Sequence, residues 1–397
     1  MASSGLEVAH IFRQFGAEYR QQHALPRHHL RAMGAIENCR TAALGGHLYE
    51  CDQCGAPQIL YNSCRNRHCP KCQSLDKERW LERRGQELLP VPYFHVVFTL
   101  PAELNDLIWR NQRVLYDLLF RCAKETLLEI AADPQHLGAR IGFLAVLHTW
   151  SQQLTEHPHL HCIVPGGGLS VDRRRWIGSP SPDFFLPVRV LSALFRGKYL
   201  HQLRALHRDG KLQFPGKIQE LESPRAFRER LDPLFAKSWV VYCKPPFGGP
   251  KKVLEYLSRY THRVAISNDR LLRLEGDRVV FSYRDWTEEY RTREMELSAA
   301  EFIRRFLLHI LPDRFVRIRS YGLLAPRNRS RDLGLSRRLL GVGSQETAPA
   351  SPGSESWREL LQRLTGVDPT LCRQCQHGHL QLRQTVAPER MPARSPP

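Results

Sequence analysis

The chain has 397 residues, with 58 Lys and Arg against 40 Asp and Glu, and its formal net charge is +18. This length allows two or three domains with cores of their own, and the arginine-rich excess of positive charge predicts attraction to a polyanion. No apolar run reaches the roughly 18 residues of a membrane-spanning helix, and the first residues are too charged for a signal peptide, so we expect a cytoplasmic protein with no membrane partner.

The first 80 residues predict two helices and then a cysteine-rich segment. The helices cover residues 6–22 and the residues after Pro26. The chain contains 11 cysteines. In a reducing cytoplasm these are better explained as metal ligands and core residues than as disulfides.

Two cysteine knuckles, Cys51-x-x-Cys54 and Cys69-x-x-Cys72, are separated by 14 residues. Each knuckle offers two thiolates, and four thiolates complete the tetrahedral shell of a structural zinc ion. Neighbouring residues have the composition of a second zinc site; they are Cys39, His47, Cys64 and His68. Because so short a segment buries little apolar surface, zinc would supply folding free energy. The sequence therefore predicts a small zinc-binding domain over residues 1–80.

A run of strands and helices follows and leads to a histidine-rich strand. Strand 92–101, helix 104–132 and strand 141–148 precede the strand that contains His157, His159 and His161. This order predicts an α+β fold with antiparallel neighbours. Side chains alternate along a strand, so the three histidines should share one face, where two imidazoles can bind one cation. For a third ligand, strand alternation favours His157, and the end of the preceding strand favours Gln152.

A pair of tyrosines lies downstream, after a polar segment over 170–231 that reads as an insertion or subdomain with a helix at 191–209. Strand 239–242 and a proline-rich turn precede a helix that carries Tyr256 and Tyr260, four residues apart and therefore on one face. Three cations accompany them, with Lys252 in line and Arg259 and Arg263 alongside. A phenol with an ordinary pKa of about 10 is a poor nucleophile, but nearby cations and a metal on a phosphate lower that barrier.

The C-terminal third is rich in arginine. The pattern predicts a hairpin over 270–284 and then a helix that begins at Ser298. The arginines that follow are interspersed with Phe306, Phe315 and Tyr321, which predicts a groove for single-stranded DNA with rings stacked on bases. The arginines predicted to contact phosphates are Arg304, Arg305, Arg317 and Arg319. Residues 341–356 read as a linker, residues 357–397 as a tail with a short helix, and 384–397 as disordered. This tail contains a further Cys-x-x-Cys, Cys372 and Cys375, which together with the nearby His377 and His379 offers ligands for a metal ion.

Four of these stretches resemble one family. The His159-Leu-His161 run resembles the metal motif of the HUH endonucleases, which nick single-stranded DNA with a tyrosine. The run from Tyr61, Tyr-Asn-Ser-Cys-x-Asn-Arg-His-Cys-Pro-x-Cys, the run from Tyr256, Tyr-x-x-x-Tyr-Thr-His-Arg-Val-Ala-Ile-Ser-Asn, and the run from Phe302, Phe-Ile-Arg-Arg-Phe-Leu-Leu-His-Ile-Leu-Pro, resemble the rolling-circle transposases of the insertion sequence 91 family. Asp313-Arg314 departs from the Lys-Gly expected there.

This resemblance implies an HUH core over 81–340, an antiparallel sheet with flanking helices, preceded by the zinc-binding domain. It implies that a Mg²⁺ or Mn²⁺ ion at His159 and His161 polarises a phosphate of single-stranded DNA. Tyr256 or Tyr260 then forms a 5'-phosphotyrosine linkage, at element ends and at target DNA. Two other interpretations stay open: a plasmid replication initiator or relaxase with the same chemistry, and a zinc-ribbon DNA-binding protein without catalysis.

Overall fold

The computed structural model describes residues 5–181, 183–244, 252, 253, 255, 264–285, 291–342 and 356–389. The chain divides into two compact units. The terminal unit comprises Met1–Trp80, His262–Ile310 and Ala348–Pro397, and the central unit comprises Leu81–Thr261 and Leu311–Thr347. This division differs from the predicted domains, because residues 262–310 and the C-terminal segment join the N-terminal residues instead of following a continuous 81–340 domain.

The helices and strands of the described residues are numbered in chain order. The helices are α1 (Val8–Gln22), α2 (Arg27–Glu37), α3 (Gln73–Gly85), α4 (Asn105–Arg110), α5 (Gln112–Ala132), α6 (Val188–Arg208), α7 (Pro224–Ala236), α8 (Ala299–Leu308), α9 (Arg329–Leu339) and α10 (Trp357–Thr365). The strands are β1 (Gly46–Cys51), β2 (Pro57–Tyr61), β3 (Tyr93–Thr99), β4 (Gly142–Trp150), β5 (Glu156–Pro165), β6 (Gly167–Leu169), β7 (Trp176–Gly178), β8 (Val241–Lys244), β9 (Leu271–Glu275), β10 (Arg278–Asp285), β11 (Arg291–Ser298), β12 (Ile318–Gly322) and β13 (Leu380–Val386).

The central unit is built on a five-stranded antiparallel sheet with the order β12-β4-β5-β3-β8. Leu160, Cys162 and Val164 of β5 are fully buried in the apolar core on one side of this sheet. The histidines of β5 occupy the alternate positions, so they face the other side. This arrangement confirms the predicted α+β class and the predicted alternation of the histidine strand.

The segment predicted as an insertion or subdomain completes the same core. Helix α6 packs on α5, α7 and β8, and its Phe195 and Tyr199 are fully buried. Leu231 of α7 is also fully buried in that core. These helices are therefore a layer of the central unit and not a separate body.

The terminal unit contains two three-stranded antiparallel sheets, with the orders β13-β1-β2 and β11-β10-β9. Helix α8 packs on β10 and β11, helix α1 packs on α8 and α2, and the rings of Phe12 and Phe306 meet edge to face with centroids 5.2 Å apart. Strand β13 pairs with β1, so the prediction that residues from 384 onward are disordered is wrong for 384–386.

Across the described part of the chain, no helix combines the length and the apolar character that crossing a membrane requires.

Candidate metal centres and active site

Three histidines converge on the face of the central sheet that lies opposite the apolar core. His159 and His161 lie on β5, and His148 lies on β4 directly opposite His159. Their ring nitrogens all fall within 4.8 Å of one another. All three side chains are at most 9% exposed, so the group is shielded from bulk water.

The spacing of these nitrogens fits a metal ion. The Nε2 atoms of His159 and His161 are 3.0 Å apart. Two imidazole ligands at about 2.1 Å from one ion and at right angles to each other would be separated by about 3.0 Å. Three nitrogen donors leave further positions of an octahedral shell open to other ligands.

Hydrogen bonds orient two of the three imidazoles. Nδ1 of His159 donates to the carbonyl oxygen of His157 at 2.6 Å, which leaves its Nε2 lone pair for a cation. Nδ1 of His161 lies 2.8 Å from Nε2 of His95, a buried histidine of β3 whose ring stacks on that of His161. Bonds of this kind fix the tautomer of a metal-binding histidine. His95 is thus a positioning residue that the sequence did not reveal.

The prediction of His157 as the third ligand, made from strand alternation, is wrong. Its side chain is exposed and stands outside the group that His148 completes. A neighbour directly across an antiparallel pair is about 5 Å away, closer than a residue two positions along the same strand. His148 ended the preceding predicted strand, so pairing that strand with the histidine strand would have found it. Gln152 lies in the turn between β4 and β5 and stays a candidate for a further position.

The predicted nucleophiles Tyr256 and Tyr260 lie outside the described residues, as do Arg259 and Arg263. Lys252 is helical and exposed. The role of the two tyrosines therefore stays a prediction.

One cluster of four thiols in the terminal unit consists of Cys39, Cys64, Cys69 and Cys72. Its Sγ atoms approach to 3.4 Å between Cys39 and Cys72 and to 3.5 Å between Cys64 and Cys72. Thiolates at about 2.3 Å from a tetrahedral zinc ion would be about 3.8 Å apart, so the set fits zinc closely. His47 and His68, predicted as ligands here, are not members of the cluster.

A second cluster joins Cys51 and Cys54 to Cys372 and Cys375. The Sγ distances are 3.6 Å between Cys51 and Cys375 and 3.8 Å between Cys54 and Cys372. The predicted pairing of Cys51 and Cys54 with Cys69 and Cys72 is therefore wrong. The hairpin of β1 and β2 explains the difference, because Gly46 pairs with Tyr61 and the chain after β2 returns to the start of β1, roughly 17 Å from Cys51.

Hydrogen bonds favour the thiolate form of members of both clusters. A hydrogen bond from the Cys64 thiol lowers the pKa of Cys39 to about 7. Backbone N–H groups of His377 and Gly378 lower the pKa of Cys375 to about 6. Thiolates, and not thiols, are the ligands of zinc, so these hydrogen bonds favour the metal-binding form of Cys39 and Cys375.

The predicted groove of arginines and aromatic rings is wrong in one respect. Phe306 and Phe315 are 1% and 2% exposed, so neither ring is available to stack on a base. The half-buried ring of Tyr321 packs on Phe143 with centroids 5.2 Å apart. The aromatic residues of this stretch therefore belong to the cores of the two units.

Several arginines of this stretch are held by carboxylates. Arg304 and Arg305 both bind Glu301, whose pKa they lower to about 2. Arg319 pairs with Asp117, and its guanidinium lies 4.0 Å from the centroid of the Phe120 ring. Arg317 is half-buried beside β12. Contacts of these arginines with DNA stay a prediction.

The fold and the thiol clusters define an α+β protein with a zinc-binding domain at its N terminus. Two family models match the chain: "Transposase zinc-binding domain" over residues 11–100 and "Putative transposase" over residues 142–332. The chain belongs to the insertion sequence 91 family of transposases, and as such it is a protein that acts on DNA.

Two relatives support this assignment. The protein named "Putative transposase y4qJ" of Sinorhizobium fredii is 52% identical over 381 residues, which cover 96% of this chain and 95% of the relative. The "Transposase for insertion sequence element IS801" of Pseudomonas savastanoi pv. phaseolicola is 30% identical over 305 residues, 73% of this chain and 68% of the relative. No solved structure gives a significant match to the chain.

Proposed function

We propose that this transposase nicks and rejoins single-stranded DNA through 5'-phosphotyrosine linkages during rolling-circle transposition. The observation that carries the proposal is the convergence of His148, His159 and His161 on one face of the central sheet. A buried group of three imidazoles with open positions is a site for metal-assisted phosphoryl transfer.

The metal is a divalent cation, and the donor set bears on its identity. Mg²⁺ prefers oxygen ligands and keeps several waters, whereas imidazole is a ligand for transition metals. Of the two ions expected from the resemblance, three nitrogen donors favour Mn²⁺ over Mg²⁺. When bound, the ion supplies Lewis acidity at a non-bridging oxygen of the scissile phosphate, and so stabilises the charge that develops there.

The tyrosines supply the nucleophile. The phenol oxygen of Tyr256 or Tyr260 loses its proton and attacks phosphorus, and the bond from phosphorus to the 3'-oxygen breaks. The 3'-oxygen takes up a proton and leaves as a hydroxyl, and the phosphate, still bonded to the 5'-oxygen of the downstream strand, is now joined to tyrosine. Because the phosphodiester energy is retained in this linkage, a free 3'-hydroxyl can reverse the reaction on another strand without ATP. Two tyrosines allow two linkages within one cycle.

The test is the formation of a covalent adduct. Incubation with single-stranded element ends and Mn²⁺ should give a protein-DNA species that resists denaturation and carries a label placed on the strand whose 5' end the nick creates. The single changes Tyr256→Phe and Tyr260→Phe should each leave some adduct, whereas the double change should abolish it. His148→Ala should reduce the adduct at least about a hundredfold by weakening the metal site, and His157→Ala, an exposed neighbour, serves as the matched control.

Two outcomes contradict the proposal. An adduct that persists in the double tyrosine variant would remove the proposed nucleophiles, and adduct formation unaffected by His148→Ala would remove the metal site. Nicking confined to a replication or transfer origin, with element ends left intact, would assign the same chemistry to a replication initiator or relaxase.

A further inference from the structure

The second thiol cluster joins two chain segments that are distant in sequence, because Cys51 and Cys375 are 324 residues apart. Strand β13 pairs with β1 in antiparallel register, with Cys51 opposite Leu380. The backbone N–H of Asp52 donates to the carbonyl of His379 at 3.0 Å, and the N–H of His379 donates to Oδ1 of Asp52 at 2.8 Å. These bonds hold the two Cys-x-x-Cys knuckles side by side at one end of the sheet.

Backbone N–H groups surround the sulfur atoms of both knuckles. In the first knuckle, the N–H groups of Gln53 and Cys54 point to Sγ of Cys51 at 3.4 and 3.5 Å. In the second, the N–H of Gln374 points to Sγ of Cys372 at 3.4 Å, and that of Gly378 to Sγ of Cys375 at 3.3 Å. Donors aimed at sulfur stabilise the anionic thiolate, which is the metal-binding form.

Gly378 makes the close approach of the two knuckles possible. A Cβ atom at this position would lie 2.4 Å from Sγ of Cys51 and 2.8 Å from Oδ1 of Asp52. No side chain fits there without moving the first knuckle. The backbone of the C-terminal segment is therefore shaped to the sulfur atoms of the N-terminal one.

The apolar contacts at this junction are few. Its buried cluster consists of Tyr49, Cys51, Cys372 and Leu380, with Ala56 and Cys375 packed against it. A core of this size stabilises a fold weakly, and small domains compensate with a disulfide or a metal ion. All four cysteines are free thiols, and their sulfurs lie at the spacing of a tetrahedral shell.

We propose that Cys51, Cys54, Cys372 and Cys375 bind a structural zinc ion that fastens the C-terminal segment to the N-terminal zinc-binding domain. The matching zinc-binding family model ends at residue 100 and so does not include the last two ligands. The zinc-binding module of this chain is thus discontinuous in sequence. It closes only after residue 375 has been synthesised, and a product that lacks the C-terminal segment lacks this site.

Zinc stoichiometry tests the ligand set. Cys51→Ser with Cys54→Ser should lower the zinc content by about one ion per chain, and Cys372→Ser with Cys375→Ser should lower it by the same amount. All four changes together should still remove only about one ion, because the pairs share it. Cys243→Ser, a half-buried cysteine of β8, is the control and should leave the zinc content unchanged.

The glycine provides a second set of variants with no ligand removed. Gly378→Ala should also lose about one zinc ion per chain, since its Cβ displaces Sγ of Cys51. The matched control is Gly34→Ala in α2, where an added Cβ meets no atom within 4 Å and no positive φ is involved. Full zinc content in Gly378→Ala would argue against the junction described here.

A third test measures whether the C-terminal fragment is retained. A protease site placed in the full chain between residues 343 and 355 should allow cleavage without release of the C-terminal fragment, because zinc and β13 hold it to β1. Chelation, or the Cys372→Ser and Cys375→Ser pair, should release the fragment. A fragment that dissociates with zinc present, or that stays bound after chelation, would overturn the proposal, as would additive losses of zinc in the two pairs of variants.

Discussion

At the scale of single residues, the histidine centre depends on how each imidazole is turned. His159 and His161 of β5 both have Nδ1 engaged, by the carbonyl of His157 and by His95 respectively, so their Nε2 atoms point to the same place. Sequence alternation placed His159 and His161 on one face, but it carries no information on ring rotation. That orientation comes from contacts with a different strand and with the backbone.

The first prediction concerns His95. His95→Ala should weaken binding of Mn²⁺ to the His148, His159 and His161 group by about 10 to 100-fold, because the ring of His161 loses the partner that fixes its tautomer. Isothermal titration with Mn²⁺ measures this directly. His95→Gln, whose amide can still bond to Nδ1 of His161, should recover part of the affinity, and His157→Ala should bind Mn²⁺ like the unmodified protein. Equal affinity in His95→Ala would show that His95 only fills space.

At the scale of elements, hairpins and strand pairs decide which ligands meet. The β1-β2 hairpin separates Cys51 from the Cys69 knuckle by the length of a strand, and the β4-β5 pair brings His148 to His159. Helix pairs do the same for packing: α2 buries His29, Ala32, Met33 and Ile36 and contacts α1. Among these four buried residues of α2, His29 is the one with a titratable side chain.

Burial lowers the pKa of His29 to about 4, with a smaller contribution from His28. A histidine whose pKa falls on folding stabilises the fold fully above its unfolded pKa of about 6.5, and that contribution is lost as pH falls from about 6.5 toward about 4. Between pH 7.5 and 5.5 the unfolding free energy should therefore drop by about 1 kcal/mol more in the unmodified protein than in His29→Leu. Chemical denaturation at the two pH values measures the difference. The control is His201→Leu, which replaces an exposed histidine of α6 and should show the same drop in unfolding free energy as the unmodified protein. If His29→Leu showed that same drop, His29 would be excluded as its source.

At the scale of the whole molecule, the excess of positive charge is the dominant property. Much of the arginine is engaged within the fold: Arg319 pairs with Asp117, Arg329 with Glu87, and Arg173 with the buried Asp332. Lys and Arg outnumber Asp and Glu by 58 to 40, so 18 charges remain without a counterpart in the chain. A single-stranded polyanion releases counterions when such a surface binds it.

Affinity for single-stranded DNA should accordingly fall with salt. If about three phosphates or more are contacted, binding to a labelled oligonucleotide should weaken at least about tenfold between roughly 50 and 200 mM salt, as fluorescence anisotropy can measure. Lys252→Ala should reduce the slope of log affinity against log salt concentration by about 0.7, the share of one phosphate contact on a single strand. Lys211→Ala removes a lysine that is near Asp209 and should leave the slope unchanged. An affinity independent of salt would contradict a charge-driven interface.

The sequence by itself determined the α+β class, the two-residue repeat of the β5 histidines, the presence of paired cysteine knuckles and the family. Each of these depends on residues close together in the chain, where periodicity and spacing act. Only the tertiary structure decided that His148 completes the histidine group, that the C-terminal knuckle meets Cys51 and Cys54, and that Phe306 and Phe315 are core residues. The physical reason is that ligand sets and cores are formed by pairing between strands and helices distant in sequence, and a spacing rule along the chain does not encode which of those distant partners will be adjacent.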